Sequence, residues 1–144
     1  MRITHEAYQK IVEHAIEDAP IEACGYLAAV DDAAGGVIVE AIRLRNVDAS
    51  EEHFSFDPAE QFAVVRAIRK SGRKLLAVYH SHPASPARPS QEDIRLAFDA
   101  ELSYVIASLA GTEPDVRSFR IRNGDVEREE IEIVNQTAEV NHVL

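Results

Sequence analysis

Five apolar residues, Leu75-Leu76-Ala77-Val78-Tyr79, run directly into His80-Ser81-His82-Pro83. An unbroken apolar run of this length is the mark of a central strand buried on both faces. A sheet covered on both faces needs helices packed on it, which narrows the fold before anything else is read. Side chains alternate along a strand, so His80 and His82 point to one face while Tyr79 turns to the other, into the core. The chain beyond them, with Pro83, Pro86 and Pro89, is stiff and non-helical.

The rest of the chain alternates helices and strands irregularly. Thr4 caps a helix over residues 5–18, in which Ile3, Ala7, Ile11 and Ala15 recur every four residues. Glu6 suits its first turn and Pro20 lies just beyond its end. Residues 23–30 and 37–44 read as an antiparallel pair joined by Asp31-Asp32-Ala33-Ala34-Gly35-Gly36. Phe54 and Phe56, alternating with Ser55, suggest a short third strand. A second helix runs from Pro58 to about residue 71: Asp57 is its N-cap, Glu60 completes a capping box, and Gly72 follows its end. Ser90 opens a third helix through about residue 100. Residues 104–109 and 116–121 are further buried strands. Asn123-Gly124 is a hairpin turn, and Val126 with residues 129–134 makes the last strand or strands. Hairpins at both ends of the chain imply a mixed β-sheet flanked by helices rather than a doubly wound parallel fold.

At 144 residues the chain suits one domain, placed here at residues 1–134, with a polar C-terminal tail over 135–144. Its single cysteine excludes an internal disulfide and fits a reducing cytoplasm. The N-terminus shows no apolar signal-peptide core, and no apolar run is long enough to span a bilayer. A formal charge of −10 argues against a nucleic-acid backbone or an anionic membrane as the main partner. It is compatible with a basic or neutral partner, or with a solvated surface in a salt-rich cytoplasm.

Two neutral imidazoles and a carboxylate, with one position left for water, make a catalytic zinc site. His80, His82 and Asp93 can supply that set, Asp93 from the first turn of the helix after the proline loop. A His-x-His pair alone is more often incidental, and Ser90-Gln91-Glu92-Asp93 equally reads as a capping box. The two readings are compatible, because a capping carboxylate can still turn an oxygen toward a metal. Zinc hydrolysis also needs a general base. Glu22, just before the first long strand, is the candidate, although by position alone it is one acid among many. The Ser90 hydroxyl can hold an oxyanion. Cys24, two residues after Glu22, reads chiefly as a small buried hydrophobe, with zinc ligation in an inactive form as the alternative. His5, His14, His53 and His142 lack ligand spacing and read as surface or helix residues, and Arg88, in the loop between the ligands, is a candidate contact for a substrate.

A glutamate upstream, then His-x-His-Pro, seven residues, Ser, two residues and Asp, resembles the pattern of the JAMM, or MPN-plus, metalloproteases. Glu22, His80-Ser81-His82-Pro83, Ser90 and Asp93 match each element. The segments Glu22-Ala23-Cys24-Gly25 and Phe56 to Pro58 also look like that family, and the likeness extends over about residues 1–134. The resemblance implies a mixed sheet related to the cytidine-deaminase architecture. It implies Zn2+ on His80, His82 and Asp93, with Glu22 as base and proton donor and Ser90 stabilising the tetrahedral intermediate. It further implies cleavage of the peptide or isopeptide bond after the C-terminal glycine of a ubiquitin-like protein. The shortness of the chain is similar to prokaryotic members that process sulfur-carrier proteins, one branch of which releases cysteine. A non-catalytic binding module of the same fold is the alternative, though such modules lack the ligands. Nucleobase deaminases require a Pro-Cys-x-x-Cys that a chain with one cysteine lacks. A likeness to DNA-repair-associated proteins sharing His-x-His-Pro is opposed by the acidic charge.

Overall fold

The computed structural model describes residues 1–135. Its elements are β1 (Arg2–Thr4), α1 (His5–Asp18), β2 (Cys24–Val30), β3 (Val37–Leu44), α2 (Pro58–Lys70) and β4 (Lys74–His82). They continue with α3 (Gln91–Arg95), β5 (Ser103–Ser108), β6 (Asp115–Arg122), β7 (Asp125–Glu129) and β8 (Glu132–Val134). The strands form one mixed sheet in the order β7-β6-β5-β4-β2-β3-β1-β8. β4 pairs antiparallel with β2 and parallel with β5, so the apolar strand is central, as its composition requires.

Each face is covered by helix. The stripe Ala7, Ile11 and Ala15 of α1 buries against Leu27, Ile38, Ala77, Tyr79 and Val105. Ile68 of α2 packs on the opposite face against Tyr26, Ala28 and Val78. Beyond α2 on that face, Ala87 and Ile94 cover Ile106, Phe119 and Ile121. The caps follow the local chemistry: Thr4 Oγ1 accepts from the Ala7 N–H at 3.2 Å and Asp57 Oδ2 from the Glu60 N–H at 3.0 Å. The Asn123-Gly124 turn has both residues at positive φ, 52° and 83°, as a type I′ hairpin demands. No helix among the described residues is long and apolar enough to cross a membrane.

Three expectations are corrected. Phe54 and Phe56 do not form a strand. Ser55 makes one backbone bond, to Val47, and its own N–H is taken by the Asn46 side chain at 3.2 Å, so a ladder does not propagate. Glu60 does not close a capping box, because its carboxylate accepts the Arg45 N–H at 2.8 Å and ties α2 to the end of β3. The third helix stops at Arg95. The Tyr104 hydroxyl accepts from the Asp99 N–H and donates to the Asp99 carbonyl, and Arg120 takes the Ala100 carbonyl, so backbone groups of that segment are held by side chains rather than by a helix. His14, expected at the surface or on a helix, lies on α1 and is buried. Of the expected tail only Asn135 is described; the rest, with His142, lies outside the described residues.

Candidate metal centre

β4 brings His80 and His82 to the edge of the helix-covered core, both buried and side by side. The capping box at the start of α3 brings Asp93 to them. His80 Nε2 and His82 Nε2 lie 3.1 Å apart, and Asp93 Oδ2 lies 3.2 Å from each. A triangle with those sides has its centre about 1.8 Å from each corner. Donors this close to a common centre would hold one metal ion between them. Ser90 and Asp93 serve both readings at once: the Asp93 N–H donates to Ser90 Oγ at 3.0 Å, and the same Oδ2 that faces the imidazoles accepts the Ser90 N–H at 2.9 Å. The cap aims the ligand.

Tautomer and charge suit a cation. The Pro86 carbonyl accepts from His82 Nδ1 at 2.8 Å, which leaves the Nε2 lone pair facing the cluster. Burial works against the charged form of His82, but its bonds to Asp93 and Pro86 prevail and hold its pKa above the ordinary value. Burial likewise opposes the Asp93 charge, and the two imidazoles outweigh it and keep the carboxyl well below the usual carboxylate range. Three donors converging on one point fit a metal ion.

Glu22 reaches the site from the other side of β4. Its N–H donates to the Ser50 carbonyl at 2.9 Å and its carbonyl accepts from Asn46 Nδ2 at 3.1 Å, so the backbone is held while the side chain is buried. Its Oε1 has no hydrogen-bond partner among the described residues. Burial pushes its pKa up to about 8, with His82 pulling it down and Asp93 pushing it up. A lone buried carboxylate oxygen is costly unless something charged or protic meets it.

Three contributors were not anticipated from the sequence. Ser81, between the histidines, turns away from them. Its Oγ accepts the Ala23 N–H at 2.8 Å and its N–H donates to the Ala23 carbonyl at 2.9 Å, clamping the residue next to Glu22 onto the ligand strand. The Phe54 ring stacks on His80 with centroids 4.7 Å apart. Asn46 holds both Glu22 and the His53 carbonyl. The alternation rule points Ser81 away from its neighbours; nothing local marks Phe54 or Asn46.

The remaining candidates fall outside the cluster. Cys24 pairs with His80 across the strands, but its thiol donates toward the Leu44 carbonyl at 3.7 Å and burial pushes its pKa to about 12. It is a buried small side chain rather than a ligand. Arg88 is exposed in the proline loop. A cleft of about 440 Å³ opens beside His80 and Asp93, walled by Tyr26, Phe54, Phe56 and Tyr104.

Residues 4–122 match the family of prokaryotic homologs of the JAB domain. The chain is 35% identical over 128 residues to a CysO-cysteine peptidase of Mycobacterium tuberculosis, covering 88% of this chain and 86% of the relative. It is 33% identical over 116 residues to a desampylase of Haloferax volcanii, covering 77% and 82%. The solved structure of protein DSY2949 from Desulfitobacterium hafniense superposes with a TM-score of 0.85 at 43% identity, covering 94% of this chain and 93% of that one.

Proposed function

We propose that this chain, which belongs to the family of prokaryotic JAB-domain homologues, is a zinc-dependent peptidase acting on the amide bond after the C-terminal glycine of a sulfur-carrier or other ubiquitin-like protein. The observation that carries this reading is the convergence of His80, His82 and Asp93 beside a buried, unpartnered Glu22 oxygen. His80, His82 and Asp93 would hold the metal, and a nitrogen–nitrogen–oxygen set with an open position suits zinc. Zinc supplies Lewis acidity there, lowering the pKa of water and polarising a carbonyl oxygen.

The chain's own residues do the rest. Glu22, with its proton affinity raised toward neutrality, takes a proton from the attacking water and passes it to the departing amine. Ser90 Oγ accepts the Asp93 N–H, which leaves its own proton to donate to the carbonyl oxygen as charge develops. The Ser81 clamp keeps Glu22 in register with the ligand strand. Residues 1–134 form one domain around this site, and the reading places it in the cytoplasm, where a lone buried thiol stays reduced. The relative named CysO-cysteine peptidase supports cysteine as a leaving group, and the relative named desampylase supports a ubiquitin-like conjugate.

The test is incubation of a Gly-Gly-terminated ubiquitin-like protein, extended by a C-terminal cysteine, with the zinc-loaded protein. Cysteine is released, a chelator abolishes release, and zinc restores it. Glu22→Gln lowers the rate on the order of 10²–10⁴-fold while zinc content is unchanged. Hydrolysis at the full rate by that variant removes Glu22 from the mechanism. Zinc-loaded protein that leaves such fusions and conjugates intact overturns the peptidase reading.

A further inference from the structure

The chain has a net charge of −10, yet residues 66–74 hold five cations, Arg66, Arg69, Lys70, Arg73 and Lys74, and no anion. The fold gathers this end of α2 and the start of β4 beside β6. Arg69, Arg73, Lys74 and Arg120 line one cavity of about 650 Å³, against Asp99 and Glu101. Arg73 is paired with Glu40 at 2.7 Å and Arg120 donates to the Ala100 carbonyl. Arg66, Arg69, Lys70 and Lys74 are exposed and form no ion pair with a described residue. Like charges gathered without partners repel one another, so this end of the molecule holds a positive potential against the sign of the whole.

The cavity adjoins the cleft at the metal site. Leu75, Asp99 and Leu102 line both it and the cleft that reaches His80 and Asp93. The floor of that cleft follows β4 through Leu75, Val78 and His80. From Lys74 to His80 is about 20 Å at roughly 3.3 Å per residue, the span of a short extended peptide.

We propose that the Arg69–Lys74–Arg120 end of the cleft docks an acidic face of the folded body of the ubiquitin-like substrate, while its extended C-terminal tail runs along β4 to the metal site. This rests on the peptidase reading and names the surface that selects the partner. Charge complementarity chooses the occupant. A compact acidic protein meets only the basic end, whereas a long polyanion also meets the acidic remainder of the chain.

The experiment compares the zinc-loaded protein with its Arg69→Glu variant on two probes. One is an intact Gly-Gly-terminated ubiquitin-like protein of net negative charge extended by cysteine, and the other is the short peptide of its tail alone. The variant raises KM for the intact protein roughly tenfold with kcat unchanged, leaves tail-peptide cleavage alone, and differs less from the parent as salt is added. An unchanged KM on the intact protein overturns the docking surface. So does an oligonucleotide that binds the parent more tightly than the acidic protein does. If the parent cleaves neither probe, the peptidase reading fails. The docking surface is then decided by fluorescence anisotropy of the labelled protein, and equal affinity for parent and variant overturns it.

Discussion

Glu22 shows how much a single side chain depends on what surrounds it. Its backbone is tied to Ser50 and Asn46, its carboxylate is buried, and one oxygen lacks a partner among the described residues. Burial raises its pKa from an ordinary 4.5 to about 8. The folded state therefore binds the proton more tightly than the unfolded state. Its contribution to the stability of the metal-free protein is complete below about pH 4.5 and is lost as pH rises to about 8. Chelator-treated protein should lose melting temperature over that interval through this group, and Glu22→Gln should flatten the decline. A profile of equal slope in the variant would remove Glu22 as its source. His80, His82, Ser90 and Asp93 were nominated by local spacing, whereas Glu22, far upstream, was nominated only through the resemblance to the family pattern. His14, read only as a surface or helix residue, lies on the buried side of α1. It bonds Tyr79 Oη at 2.7 Å and faces Asp18 at 3.0 Å, partners that one-dimensional ligand spacing does not reveal. Its place seven residues after Ala7 on the buried stripe of α1 was the available signal.

Among the elements, the β2–β4 pair sets the precision of the site. Gly25 lies opposite Tyr79, and a Cβ there would stand 2.2 Å from the Ile42 carbonyl oxygen and 2.5 Å from the Tyr79 ring. Backbone and a buried ring give way at a cost, so Gly25→Ala should destabilise the protein by about 1–3 kcal/mol or more. It should also weaken zinc binding by shifting the strand that carries His80. Denaturant titration and a competitive zinc chelator measure both, and a change within about 0.5 kcal/mol would mean that the strands have room. Helix starts and hairpin turns were legible because caps and positive-φ turns are chosen by adjacent residues. The irregular segments were not. Residues 54–56 and 96–102 lose strand and helix to Asn46, Tyr104 and Arg120, side chains that compete for backbone groups from elsewhere in the chain or from another element.

For the whole molecule a metal held by His80, His82 and Asp93 would be both chemistry and cross-link, since it would join the end of β4 to α3 across the proline loop. Binding to the folded state alone stabilises by about 4.1 kcal/mol at 1,000 times the dissociation constant. For a chain of this length that is on the order of 10 °C in melting temperature. Zinc should raise the melting temperature of the native protein by that order and leave His82→Ala unmoved, as scanning calorimetry would show; an equal rise in both would place the ion elsewhere. Charge is the other property of this scale. The total of −10 suggests a basic or neutral partner, while the folded surface carries a cationic end that the sum conceals.

The sequence by itself determined the buried central strand, the helix starts and the turn at Asn123-Gly124, and it nominated His80, His82, Asp93, Ser90 and Glu22 as site candidates. Each follows from alternation, capping, turn stereochemistry or motif spacing. Only the tertiary structure decided that three donors close to 3.1–3.2 Å, that Ser81 locks Ala23, next to Glu22, onto the ligand strand, and that the basic end adjoins their cleft. Those outcomes depend on distances through space between residues far apart in the chain, and no local rule of backbone or side chain carries them.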